Sequence, residues 1–157
     1  MSASIASPAA EPALHPLLTR LVAQTGASLL DAATFDAWAK RPGAAMLVFV
    51  DDPDRNKETL DLAVIVPELH AARADRFRVA LLPPAAAWAL APRYGFARWP
   101  AFVMLRDGQY LGAVDGLRDW NIYVTELDRL LAAAPTRPPT VGIPLIAAGQ
   151  AASPPCP

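Results

Sequence analysis

Few side chains in this sequence could do chemistry, and their spacing narrows the options. There is one cysteine, Cys156, and there are two histidines, His15 and His70. A lone thiol excludes an internal disulfide and any multi-cysteine metal site. The histidines are far apart and fall in different expected elements, so they make no metal pair. Carboxylates alone show local density: Asp51, Asp52, Asp54, Glu58 and Asp61 are close together, with Glu68 a helical turn or more beyond. Near a helix start such acids are favoured by the macrodipole and solvate the loop. As a group facing a groove they would suit a basic ligand such as an arginine-containing segment. Aromatic residues gather in the second half as Trp88, Tyr94, Phe96, Trp99 and Trp120. Trp99, in a loop just before Pro100, is the expected exposed aromatic at a binding surface, whereas Trp88 and Tyr94 are expected in the core.

Regular elements must hold these groups. Leu14, Leu17, Leu18, Leu21 and Val22 recur at helical spacing and predict a first helix ending near Gly26. Ala27 to Leu30 reads as a short strand, and Asp31 as the N-cap of a helix carrying Phe35 and Trp38. The apolar run Ala44 to Val50 suits a central strand buried on both faces. Asn56 to about Ala74 predicts a long helix, which Pro67 should kink by removing one backbone donor. Phe77 to Leu82 is the next strand, and a short helix with Trp88, Leu90 and Tyr94 closes at Gly95. Phe102–Leu105 and Tyr110–Val114 flank Asp107-Gly108, a strong hairpin signal. Asp119 opens a last helix with Ile122, Tyr123, Leu127, Leu130 and Leu131 at core spacing. The expected organisation is a flexible segment 1–13, a folded domain 14–134 and a Pro/Ala-rich extended tail 135–157.

Composition bounds the class. The chain has 157 residues, 54% hydrophobic and 18% charged, which suits one folded domain rather than a disordered chain. Its mean hydropathy of +0.24 owes much to alanine. No apolar run approaches the ~20 residues of a membrane span. The N-terminus lacks a basic segment followed by an apolar one, so a secretory signal is not expected and the address is cytoplasmic. A net charge of −1 with scattered arginines gives no case for nucleic acid. No residue pattern calls for a cofactor.

The order strand–helix–strand–helix–strand–helix–strand–strand–helix over residues 27–134 resembles thioredoxin, an α/β fold with a mixed sheet flanked by helices on both faces. The run Pro92 to Gly116 carries most of that likeness, and Gly116 and Asp119 resemble its junction into the last helix. By resemblance Pro100 holds the place of a cis-proline, and Trp99, Pro100 and Ala101 that of the backbone offered to an extended peptide. Thioredoxins act through a C-x-x-C after the central strand. The two counts for that place, Asp51–Arg55 and Thr59–Leu62, contain no thiol, so no nucleophile for disulfide exchange stands there.

A narrower likeness rests on DDPDRNKETLDLAVIVPEL, RYGFARWPAFVMLRDGQYLGAVDGLRDW and TRPPTVGIP. Together these resemble the HyaE/HupG/HoxO family of nickel–iron hydrogenase accessory proteins, thioredoxin-like proteins without the C-x-x-C, over roughly residues 14–146. The resemblance implies a non-catalytic maturation chaperone. Its partner would be the hydrogenase small-subunit precursor, bound through its twin-arginine signal peptide or its cluster-bearing region before export, with a second hydrogenase accessory protein as a further partner. Position in the fold selects Asp51, Asp52, Asp54, Glu58, Asp61, Glu68, Trp99, Pro100 and Ala101 as the partner-binding residues. Two alternatives stay open: a thiol-dependent redox enzyme acting through Cys156, and a scaffold subunit bound through the Pro-rich tail.

Overall fold

The computed structural model describes residues 14–73 and 76–139. The segment expected to be flexible at 1–13, the tail from residue 140 onward and Cys156 lie outside the described residues. The elements in chain order are α1 (Pro16–Thr25), β1 (Ser28–Leu29), α2 (Ala32–Ala39), β2 (Ala44–Phe49), α3 (Glu58–Ala72), β3 (Arg78–Leu82), α4 (Pro84–Leu90), β4 (Ala101–Arg106), β5 (Gln109–Asp115) and α5 (Trp120–Leu131). A 3-10 turn, Ala91–Arg93, extends α4.

The strands form one mixed sheet in the order β1-β3-β2-β4-β5, with β1, β3 and β2 parallel and β4 and β5 antiparallel to their neighbours. Alternation along β2 divides the core. Met46 and Val48, followed by Val50, face α1, α3 and α5, where Leu18, Leu21, Leu62, Val66, Leu69, Tyr123 and Leu127 meet them. Ala45, Leu47 and Phe49 face α2 and α4, against Phe35, Trp38, Ala87 and Leu90. With both faces covered, the central strands must be apolar throughout, as the run from Ala44 to Val50 is. This is the thioredoxin-like architecture expected.

Local chemistry explains the boundaries. Asp31 and Thr34 form a reciprocal capping box at the start of α2. Asp107 and Gly108 take positive φ, as the tight turn requires, and the Gly43 amide donates to the Asp107 carboxylate at 2.7 Å, pinning the hairpin tip. The long helix starts at Glu58, two residues after Asn56, and runs on past Pro67. Two core assignments need correction. Ile122 is 46% exposed despite its spacing, because the fully buried Tyr123 takes the inward position in the first turn of α5. Trp88 is 49% exposed, since Ala86, Ala87 and Leu90 already fill the inward face of short α4.

Candidate functional site

The chain leaving β2 folds back on the first turn of α3 through a compact set of bonds. The Thr59 hydroxyl is buried, accepting from the Asp51 amide and donating to the Asp51 carbonyl, both at 3.2 Å. The Asp51 carboxylate accepts from the Asp52 amide at 2.8 Å and from the Trp88 indole N–H at 3.1 Å, and it pairs with Arg55 at 3.5 Å. Asn56 caps α3, its side-chain oxygen accepting from the Glu58 amide at 3.0 Å. Its other end, Nδ2, donates to the Trp99 carbonyl at 3.2 Å. The loop between β2 and α3 is therefore stapled to the segment before Pro100.

That segment is held from its other side as well. The Trp99–Pro100 bond is cis. The Pro100 carbonyl accepts from the Gly116 amide at 2.8 Å. The Asp115 carboxylate accepts from the amides of Ala97 (2.8 Å) and Arg98 (3.1 Å) and pairs with Arg118 at 3.2 Å. Burial pushes the Asp115 carboxyl up, but those two amides and Arg118 outweigh it and hold it below the usual carboxylate range. Beneath the same corner the buried Tyr123 hydroxyl donates to the Gly116 carbonyl at 3.1 Å. Its pKa is raised, mainly by burial, with the nearby charges of Glu58 and Asp61 adding to the rise.

A graded aromatic cluster sits on this frame. Phe49, from the sheet, meets Phe96 with ring centroids 5.1 Å apart, and Phe96 meets Trp99 at 5.2 Å, both edge to face. Trp99 then stacks on Trp88 at 4.7 Å with an interplanar angle of 19°. Trp99 is half-buried, and Trp88 carries the open surface. The expected exposure of the two indoles is thus exchanged: Phe49 and Phe96 enclose Trp99, and the Asp51 bond holds Trp88 out over it.

The expected binding residues divide. Asp54, Glu58 and Asp61 are exposed around the start of α3, and Asp52 is half-buried, its carboxylate accepting from the Asp54 amide at 2.9 Å. Asp51 is buried and committed to Trp88 and Arg55, so it supports the surface from within. Glu68 is exposed ten residues along α3 from Glu58, about 15 Å by helical rise and away from the cluster. Pro100 and Ala101 are buried, and Ala101 pairs with Phe49 and Asp115 in the sheet. Asn56 occupies the Trp99 carbonyl, so the backbone before the proline is already engaged. Sequence reasoning missed Trp88, Asn56, Thr59 and Asp115. Asn56 two residues before Glu58 is a capping signal that could have been read; the long-range partners of Trp88 and Asp115 have no local signature.

The polar groups hold backbone and indoles in place, and Trp88 leaves an open aromatic face that stacks on Trp99 and is anchored by the Asp51 carboxylate. Among the described residues no group of three or more His, Cys, Asp or Glu side chains comes together to hold a metal ion. No described helix is long and apolar enough to cross a membrane.

Comparison with known proteins adds a family. Residues 17–123 match the family model described as HyaE, hydrogenase-1 expression protein. The chain is 38% identical over 143 residues to the hydrogenase expression/formation protein HoxO of Cupriavidus necator, covering 90% of this chain and 89% of that protein. It is 35% identical over 120 residues to the hydrogenase expression/formation protein HupG of Rhodobacter capsulatus, covering 76% and 87%. A crystal structure of a HupG hydrogenase expression/formation protein from Rhodopseudomonas palustris is similar at 31% identity, with a TM-score of 0.47, covering 67% of this chain and 95% of that one.

Proposed function

The chain belongs to the HyaE family of hydrogenase expression proteins, and on that footing we propose that it is a non-catalytic chaperone of hydrogenase maturation. It binds the small-subunit precursor in the cytoplasm, through the twin-arginine signal peptide, before export. The observation that carries this reading is the open Trp88–Trp99 stack beside the acidic first turn of α3, where a thioredoxin keeps its thiols. A signal peptide joins a basic stretch to an apolar one. Indole faces suit the apolar part and contribute large contact area at low entropic cost, while Asp54, Glu58 and Asp61 complement the arginines.

Non-catalysis is supported by how the site's groups are used. Asp51, Asn56, Thr59 and Asp115 each bond backbone or a neighbouring side chain, which leaves the site with anchors and no activated nucleophile among the described residues. Calorimetric titration with a precursor carrying or lacking its twin-arginine peptide tests the reading. The peptide-bearing form should bind at least tenfold more tightly. Equal affinity would move the contact to the body of the subunit, and absence of binding to both would remove the chaperone role.

A further inference from the structure

A second exposed apolar group stands at the corner between β5 and α5, where Leu117 is 38% exposed, Trp120 44% and Ile122 46%. The backbone of this corner is fixed. The Tyr123 hydroxyl donates to the Gly116 carbonyl and accepts from the Arg118 amide at 3.2 Å, and Arg118 Nε donates to the Asp115 carbonyl at 2.9 Å. Leu117 is thus held out on a pinned turn, and Trp120 follows as the first residue of α5. Among the described residues the Trp120 indole N–H has no hydrogen-bond partner and its ring meets no other ring, whereas the indoles of Trp38 and Trp88 both donate. An open indole on a rigid support offers contact area at little entropic cost.

Acids connect this corner to the stack of Trp88 and Trp99. The Gly116 amide reaches the Pro100 carbonyl, one residue from Trp99, and Asn56 ties the start of α3 to the Trp99 carbonyl. The Tyr123 hydroxyl under the corner, whose pKa is raised first by burial, also feels the charges of Glu58 and Asp61. The first turn of α3 therefore borders both apolar groups. Asp119 adds a carboxylate between Leu117 and Trp120, exposed and making no bond to the α5 amides it precedes. Among the described residues none of Glu58, Asp61 and Asp119 is in an ion pair, while Arg118 is paired with Asp115. Arg98, whose aliphatic stem lies against Gly116, leaves the local balance negative.

We propose that Leu117 and Trp120 form a second apolar contact of the partner surface, which thereby takes a peptide segment whose paired arginines stand between bulky apolar side chains. The arginines meet Glu58, Asp61 and Asp119. One apolar flank lies on Trp88, and the other on Leu117 and Trp120. A segment with an apolar flank on one side only leaves one indole uncovered. The two-contact surface rests on the placement of these residues, whereas its use for a hydrogenase signal peptide rests on the chaperone reading.

The test titrates the full chain, labelled with nitrogen-15, with two synthetic peptides. One carries adjacent arginines between two leucine–phenylalanine pairs, and in the other one of those pairs is replaced by serines. The two-sided peptide should move the indole N–H signals of both Trp88 and Trp120. That of Trp38, bonded to Ser28 Oγ at 3.0 Å away from this surface, should stay and so report an intact fold. The two-sided peptide should also bind about tenfold more tightly than the one-sided one, and Leu117→Ser with Trp120→Ser should erase that preference. A Trp120 signal that stays while Trp88 moves would overturn the second contact, as would equal affinity for the two peptides or a preference that survives the double substitution. A Trp120 signal that depends on protein concentration without peptide would assign the corner to a second copy and overturn the proposal equally. If both indoles respond as expected but the hydrogenase precursor binds no better with its signal peptide than without, the surface stands and the chaperone reading falls.

Discussion

Trp88 belongs to the proposed partner surface and Asp115 to the loop beneath it, and the two make separable predictions. Trp88 is half exposed and, among the described residues, stacks on Trp99. Trp88→Ala should cost about 1 kcal/mol or less in a urea melt, yet weaken precursor binding about 30-fold in the titration, as removal of a central aromatic anchor does. Trp99→Ala is a poorer probe, since Trp99 also packs on Phe49 and Phe96 and its loss would destabilise the fold. Asp115 carries a pH dependence. Its folded-state pKa is lowered, so its stabilisation is complete above the ordinary value of about 3.9 and disappears as pH falls through the lower folded value. Asp115→Asn keeps the shape but loses the charge. It should cost about 1–2 kcal/mol at pH 7 in chemical denaturation, and the difference from the unsubstituted protein should shrink towards pH 2.

At the scale of elements, β5 and α5 depend on a missing side chain. A Cβ on Gly112 would stand 2.4 Å from Leu130 Cδ2, and Leu130 is fully buried. Gly112→Val should therefore destabilise by about 1–3 kcal/mol through overpacking, measured by thermal or urea unfolding. The strands and helices were legible in the sequence because their signals are local. Ala44 to Val50 is uniformly apolar, Asp31 and Thr34 cap each other three residues apart, and Asp107-Gly108 makes its own turn. The site was legible only in outline. Trp99-Pro100 and the run of acids stand out in the sequence, but the exposure of each indole depends on contacts across long stretches of chain. Trp88 is held out by Asp51, 37 residues earlier, and Trp99 is enclosed by Phe49 from another strand. Helical spacing misplaced Ile122 and Trp88 for a related reason: short amphipathic helices cover only part of a sheet, and their ends stay wet.

Across the whole molecule, charge is nearly balanced, at −1 overall. Long-range attraction of a basic peptide cannot come from net charge and must come from the local acids at the start of α3. Glu58→Lys with Asp61→Lys should weaken binding of a twin-arginine peptide, more at about 20 mM salt than at about 500 mM, because screening shortens the reach of exposed charges to about 10 Å or less. A loss independent of ionic strength would show that those two residues act by shape. The stapled loop also sets what mutation could do to this molecule. Cysteines placed at Thr59 and Leu62 would form a C-x-x-C in sequence, but both positions are sealed in the interior, and Thr59 holds the turn together. Asn56 also ties this loop to the carbonyl before Pro100. A lineage that crosses to this arrangement cannot return to thiol exchange by restoring two residues; it would have to rebuild the loop first.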